Sequence, residues 1–433
     1  MTSKLKHKKN QLALGIWICT LSTIFFIYEY FLKTFLGTLI YQLSDSLHFN
    51  PQHLSFIDVA YFISYNAMQI PAGLLLDRYG IRFCLVGAVL TTTLGVFLFS
   101  DANSFYTAFS ARILMGLGSS FAFLSMLLLL FDWFPKKYSG FLLGVGQFIG
   151  VLGPILAGWP LYQLLQYYHQ NWRLLLRGIG WIGILLAILM IIFIRYRRQS
   201  QYSQKIVTKF SLRLFIKFLQ SKLAWTIGFY SGFSYMTIAL FGTLWGITYL
   251  NALHLPTAVA SFAVSMLWLG LAIGCPLIGL ISDLIRRRKI ILLCCAALGL
   301  IISLLILFPP IKDMWIFIVL YFCLGLSGAG QSVAFNVTRE IANKSIHAVA
   351  LAFNNTMIGL ANLIFIPLIG FMIHFSFHGR FVAGKSIYQY HNFIGAFLWV
   401  PVLYFFAFLI AFFFIKETYC TDIDGDGLDP LPR

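Results

Sequence analysis

The sequence predicts an all-α membrane protein: twelve transmembrane helices in two pseudo-symmetric six-helix bundles. Three observations predict it. The 433 residues are 60% hydrophobic and only 10% charged, too few polar side chains to cover a water-soluble core. The apolar residues fall in runs of about 20 or more, the length a helix needs to cross roughly 30 Å of hydrocarbon. Short segments also recur in the same order at offsets of 205–209 residues.

In chain order the apolar runs are 11–43, 54–76, 82–101, 104–134, 139–166, 172–195, 223–251, 257–282, 289–309, 313–337, 346–375 and 391–415. The first is longer than the hydrocarbon is thick and is expected to tilt or project. It follows MTSKLKHKK and lacks a small-residue cleavage pattern, so it reads as a retained span and not a secretory signal. Five stretches result: a cytoplasmic amino terminus (1–10), a first bundle (11–195), a basic linker (196–222), a second bundle (223–415) and an acidic tail (416–433). The linker's second part, from about Phe210 to Leu223, reads either as an amphipathic helix on the inner leaflet or as a solvated basic segment.

The formal charge of +17 would suggest nucleic acid in a soluble protein. Here the basic residues gather in alternate connections: Lys4 to Lys9, Arg78 and Arg82, Lys136 and Lys137, Arg195 to Lys222, Arg286 to Lys289, then Arg339 and Lys344. The other connections hold few, such as Lys312, Arg380 and Lys385. That asymmetry orients the chain, with both termini cytoplasmic, and no nucleic-acid motif accompanies it. Seven cysteines lie mostly inside apolar runs without CxxC or metal spacing, as small buried hydrophobes. There is no HExxH, GxSxG or Walker loop, so neither an enzyme nor an ATP-driven pump is expected, and no cofactor or metal. The tail's Asp422, Asp424, Asp426 and Gly427 resemble a calcium loop, but its twelfth position is Arg433 where a glutamate is needed.

The halves echo one another. FLGTL (Phe35 to Leu39) answers to LFGTL (Leu240 to Leu244), GLLLDRYGIR (from Gly73) to GLISDLIRRR (from Gly279), and LMGLGSS (from Leu114) to CLGLSGA (from Cys323). Parallel six-span repeats are a transporter design. The stretch Gly73, Asp77, Arg78, Gly80, Arg82 fits a G-x-x-x-D-R-x-G-x-R pattern, and Arg112, Gly116, Gly118 fit R-x-x-x-G-x-G. On these motifs the chain resembles the major facilitator superfamily over essentially its whole length. The resemblance implies the fold of that family and secondary transport. The runs FIYEYFLK, SYNAMQIPAGLLLDRYGIR, SSFAF and FDWFP are similar to a bacterial branch related to lysosomal dipeptide transporters, or to carboxylate-siderophore permeases.

At the motif turn, glycine permits the bend, and Asp77 is placed to meet the positive end of a helix. Arg78 or Arg82 can reach Asp132 at the end of the fourth span. The resemblance implies that this cluster, with Asp283 in the second copy, latches the halves in one state and opens in the other. The second copy has Leu284 in place of the arginine.

Ionisable residues within a span are functional candidates by default. They are Glu29 and Lys33, one turn apart on the first span; Asp58, in line with Tyr61, Tyr65 and Gln69 on the second; Arg112 on the fourth; and Arg177, with Arg173 at its edge, on the sixth. The second half offers amides and aromatics, among them Gln331, Asn336, Asn354, Asn355, Asn362, Tyr235 and Trp245. Lys33, Arg112 and Arg177 read as a cationic ring around Glu29, suited to a carboxylate. The expected substrate site is Glu29, Lys33, Arg112, Arg177, Tyr61, Tyr65 and Asn355, with Glu29 and Asp58 as proton carriers. Three roles fit Glu29: a structural partner of Lys33 or Arg112; a proton carrier, since burial favours a protonated carboxyl; or a ligand for a substrate amine.

The expected function is alternating-access transport of a small anionic or zwitterionic carboxylate solute across a bacterial inner membrane, by a proton-coupled monomer. Its partners are the solute, protons and the lipid bilayer, with no nucleic acid. A nutrient sensor or membrane scaffold on the same fold is the alternative.

Overall fold

A computed structural model describes residues 2–133, 146, 148–194, 212–311, 313–343, 346–376, 381–382, 385–386 and 389–419. Its helices follow the apolar runs. In the first half, α1 (Thr2–Thr34) passes through a 3₁₀ turn (Phe35–Leu39) into α2 (Ile40–Leu47). Then come α3 (Pro51–Tyr79), α4 (Ile81–Ser100), α5 (Phe105–Trp133), α6 (Leu152–Ala157), α7 (Trp159–Tyr167) and α8 (Trp172–Phe193). The linker helix is α9 (Leu212–Gln220). In the second half, α10 (Lys222–Ala239) passes through a π-helical turn (Leu240–Trp245) into α11 (Gly246–Ala252). It is followed by α12 (Thr257–Ile285), α13 (Arg288–Leu307), α14 (Met314–Gly328), α15 (Gly330–Ile341), α16 (His347–Ser376), α17 (Tyr390–Phe397) and α18 (Trp399–Phe413).

Eleven helices or helix pairs among the described residues are long and apolar enough to cross a membrane. The twelfth expected span, α3, is 29 residues long but is not among them. It is the helix that carries Asp58, Asn66 and Gln69. The fold is all-α as expected, with one two-residue pairing beside the helices: Phe381–Val382 and Lys385–Ser386 form antiparallel strands β1 and β2.

The chain divides into two units, Met1–Ile206 with Phe381–Ser386 and Val207–Arg380 with Ile387–Arg433. Each repeats one packing scheme. In the first unit the second and fourth spans pack together (α3 on α5), as do the third and sixth (α4 on α8) and the first and fifth (α1 on α6). In the second unit the same pairs recur as α12 on α14, α13 on α18 and α10 on α16.

The sequence repeats mark equivalent joints. Gly116 lets α5 approach α3 so closely that an added Cβ would lie 2.3 Å from the Tyr61 carbonyl oxygen; Gly325, 209 residues later, meets the Leu267 oxygen of α12 at 1.9 Å. Pro71 and Pro276, 205 residues apart, lie inside α3 and α12. The paired FLGTL and LFGTL segments are where the first helix of each unit leaves α geometry, as a 3₁₀ turn in one and a π turn in the other.

The linker helix α9 is seated through Phe218, buried against Ala224, Ala342, Ile346 and Ala350. Trp225 Nε1 donates to the Leu219 carbonyl at 2.7 Å. Ile216 and Lys217 face outward.

Candidate functional site

Among the described residues of the first unit, four charged side chains are buried: Glu29, Lys33, Asp58 and Arg112. Helix periodicity explains how they meet. Glu29 and Lys33 are one turn apart on α1. Asp58, Tyr61 and Tyr65 stand at i, i+3 and i+7 on α3, on one face. Arg112 enters from α5, one turn before Gly116, where α5 packs tightly on α3.

Arg112 has no exposed surface, and neither has Asp58; their charged atoms are 3.0 Å apart. The same guanidinium donates to the carbonyl oxygens of Leu32 at 2.5 Å and Ile57 at 3.3 Å. It lies over the rings of Tyr61 (4.8 Å) and Phe35 (5.5 Å). Arg112 therefore ties α1, α3 and α5 together, where the sequence suggested a guanidinium presented to solute.

Glu29 is 1% exposed. Its Oε1 accepts the Tyr61 hydroxyl at 2.7 Å, while Oε2 has no hydrogen-bond donor among the described residues. Tyr61 stacks on Tyr65, with ring centres 5.9 Å apart. The Lys33 ammonium sits over the rings of Tyr30, Phe62 and Tyr65 at 5.2, 5.3 and 5.7 Å, a cation–π environment. It is within electrostatic reach of both Glu29 and Asp58. Lys33 is 9% exposed, and its neighbours Tyr30 and Tyr65 are only half-buried, so this edge of the cluster is the one that opens outward.

Arg177 does not join this cluster. It is 53% exposed and pairs with Asp101 at 2.7 Å. Its neighbour Arg173 donates to the carbonyls of Ser100 and Ala102 and to Asn103. The two arginines clamp the turn between α4 and α5, so the expected three-cation ring loses Arg177. Asp101, which the sequence reading overlooked, explains the change: it closes the run 82–101 as the cap of α4 and was not weighed among the charges within spans.

In the second unit Asn355 is half-buried on α16. The adjacent Asn354 is fully buried, and neither of its amide atoms finds a partner among the described residues. Asn362, two turns on, is also buried.

Comparison with known proteins decides the family. The profile described as Major Facilitator Superfamily matches residues 20–330 and 227–420. The chain belongs to the major facilitator superfamily. It is 25% identical over 178 residues to a putative multidrug resistance protein of Yersinia enterocolitica, an alignment covering 40% of this chain and 35% of that one. A quinolone resistance transporter of Acinetobacter baumannii is 29% identical over 136 residues, 30% of each chain. The alignments thus span about a third of the length of these curated relatives. Two solved structures share the fold. One is a bacterial homologue of the human lysosomal transporter Spinster, inward-facing and unoccupied, with TM-score 0.74, 13% identity and coverage of 92% of this chain and 97% of that one. The other is a D-xylose–proton symporter, with TM-score 0.74, 15% identity and coverage of 94% and 99%.

The superfamily's loop signature lies at the α3–α4 turn. Gly80 has φ 82° and ψ 155°, a region that side-chain-bearing residues avoid. Gly73 lies inside α3 with no such demand; an added Cβ would meet Leu124 at 3.7 Å. Arg82 donates to the Ile191 carbonyl at 2.9 Å, and Arg78 lies over the Tyr79 ring. The side chains of Asp77 and Asp132 lie outside the described residues, and with them the expected reach of Arg78 or Arg82 to Asp132.

The corresponding turn of the second unit carries a buried ion-pair cluster. Arg288, 206 residues after Arg82, is buried and pairs with Glu340 at 2.8 Å and Asp283 at 2.6 Å. Ser282 Oγ accepts a further hydrogen bond from it, and Thr418 donates to the other Glu340 oxygen. Glu417 accepts from the backbone amides of Arg288 and Lys289. Glu340, 208 residues after Asp132, escaped notice because its span was expected to end at 337; α15 runs on to Ile341. The glycine of the first turn is answered here by Arg286, left-handed at φ 55° and ψ 35°.

Proposed function

We propose that the chain is a secondary transporter that carries a small carboxylate solute, anionic or zwitterionic, across a bacterial inner membrane by alternating access, together with protons. An amino acid, a dipeptide or a carboxylate siderophore fits this description. The observation that carries the proposal is the Glu29–Lys33 face: an acid with one oxygen lacking a donor among the described residues, beside an ammonium in a ring of aromatics. Membrane interiors retain such charges where they serve transport.

Lys33 is the residue for the solute carboxylate. It has a flexible stem and a compact charge, and it stands at the cluster's exposed edge. Arg112 and Asp58 act behind it, fixing α1, α3 and α5. Glu29 takes a proton or a solute amine. Tyr61 holds Glu29, and Tyr65 offers an aromatic face to the solute. Asn355, half-buried in the second unit, is a further candidate for the solute. The turn residues Gly73, Asp77, Arg78, Gly80, Arg82 and Asp132, with Asp283 in the second unit, gate the cytoplasmic side. Both termini are cytoplasmic, and the working unit is a monomer. The relatives named for multidrug and quinolone resistance are compatible with a solute of mixed charge.

The test is uptake by proteoliposomes offered pooled amino acids, pooled dipeptides and citrate. Saturable, gradient-dependent uptake of one pool is expected, with loss of affinity in Lys33→Gln. Binding without uptake under any gradient would favour a sensor on the same fold.

A further inference from the structure

The linker between the two bundles is a run of uncompensated positive charge. Arg195, Arg197, Arg198, Lys205, Lys209, Arg213, Lys217 and Lys222 lie in it, and no aspartate or glutamate occurs between Asp132 and Asp283. The last part of that run is built into the second unit. Phe218 of α9 packs on Ala224 at the start of α10 and on Ala342, Ile346 and Ala350. Its ring meets Phe353 of α16 edge-on, with centres 5.7 Å apart. The passage into α10 is tight: the Ser221 amide donates to the Phe218 carbonyl at 3.0 Å, and the Ala224 amide to the Ser221 carbonyl at 3.2 Å. Helix α9 is therefore fixed at the end of the span Lys222–Ala252.

The side of α9 away from Phe218 meets no protein. Ile216 is exposed, as are Trp225 and Phe229, one turn apart on α10 with ring centres 6.2 Å apart. Next to these apolar residues in the chain stand Lys217 and Lys222, both exposed. Neither has an ion-pair partner among the described residues. The helices in contact cannot supply one: α9, α10 and α16 contain no acid, and Glu340 of α15 is buried against Arg288.

Exposed apolar groups beside lysines at the end of a span suit a bilayer interface. Rings and aliphatic groups enter the acyl region while the ammonium groups stay at headgroup level. A tryptophan at such a boundary keeps its N–H paired, and that of Trp225 is held by the Leu219 carbonyl at 2.7 Å. Two cations without a protein counter-charge favour a headgroup with net negative charge. A zwitterionic headgroup brings its own ammonium and gains less from them.

We infer that α9 and the first turns of α10 form a docking site for an anionic phospholipid of the adjoining leaflet. Lys217 and Lys222 hold its phosphodiester, and its chains run along Ile216, Trp225 and Phe229.

The test uses the purified full chain in detergent, titrated with phosphatidylglycerol or with phosphatidylethanolamine of the same chains, and bound lipid is counted by native mass spectrometry. Phosphatidylglycerol is expected to bind more tightly, and high salt to weaken it, since exposed charges are screened. A lysine near an anionic headgroup strengthens binding about fivefold. Lys217→Gln and Lys222→Gln should therefore each weaken phosphatidylglycerol binding about fivefold, and the two together about 25-fold. Lys217→Arg with Lys222→Arg keeps both charges and should bind as the wild type does. Both lysines are exposed, so the melting temperature without added lipid should not change.

Equal affinity for the two lipids would overturn the inference, as would unchanged phosphatidylglycerol binding in the double glutamine variant. Displacement of the lipid by millimolar inorganic phosphate would make this a site for a free anion and overturn it as well. Should the glutamine variants fail to fold, the wild type decides: a phosphatidylglycerol affinity indifferent to salt would refute a site built on these charges.

Discussion

Replacing Asp58 by asparagine separates two roles for Arg112, lock and solute ligand. The substitution keeps side-chain shape and removes one charge. Arg112 then remains fully buried, with the Leu32 and Ile57 carbonyls and two rings around it but without the 3.0 Å carboxylate. Breaking a buried pair from one side costs about 3–5 kcal/mol, because the surviving charge has no counter-charge. For a unit of this size that is a fall in melting temperature on the order of 10 °C. Replacing both partners, as Asp58→Leu with Arg112→Met, should restore most of the loss, since no charge is then stranded. The assay is thermal unfolding of the purified protein in detergent, completed as a double-mutant cycle. A loss below about 1 kcal/mol in Asp58→Asn, the value of an exposed pair, would refute the lock and return Arg112 to the solute.

Six further substitutions follow from the same geometry. Glu29→Gln should keep the Tyr61 hydrogen bond and near-normal stability, but lose gradient-driven accumulation while retaining exchange; full accumulation would show that another group carries the proton. Arg177→Ala removes a half-exposed pair and should cost no more than about 1 kcal/mol, with solute affinity unchanged in a binding titration. Gly80→Ala should destabilise by about 1–3 kcal/mol, whereas Arg286→Gly should relieve about 1–2 kcal/mol, both read from unfolding curves. Glu340→Gln strands the buried Arg288 and should cost about 3–5 kcal/mol; Asp283→Asn, at an exposed carboxylate, should cost under about 1 kcal/mol.

Composition and periodicity determine the architecture of this chain, because a helix that must cross hydrocarbon announces itself in about 20 consecutive residues. The repeat was equally legible: Gly116 with Gly325, and Gly80 with Arg286, fall at equivalent joints. Local spacing also brought Glu29 beside Lys33 and aligned Asp58, Tyr61 and Tyr65 on one face. Pairing between helices was not legible. Sequence placed Arg112 and Arg177 alike, in one cationic ring around Glu29. Tertiary packing alone put one against Asp58 in the interior and the other against Asp101 at the surface. Glu340 was hidden for a similar reason, since its partner Arg288 lies 52 residues away. The sequence by itself sets which segments become helices and which faces are polar, because those are properties of neighbours along the chain. Which charge cancels which is decided only when the helices pack, because an ion pair depends on a distance between side chains that no stretch of sequence contains.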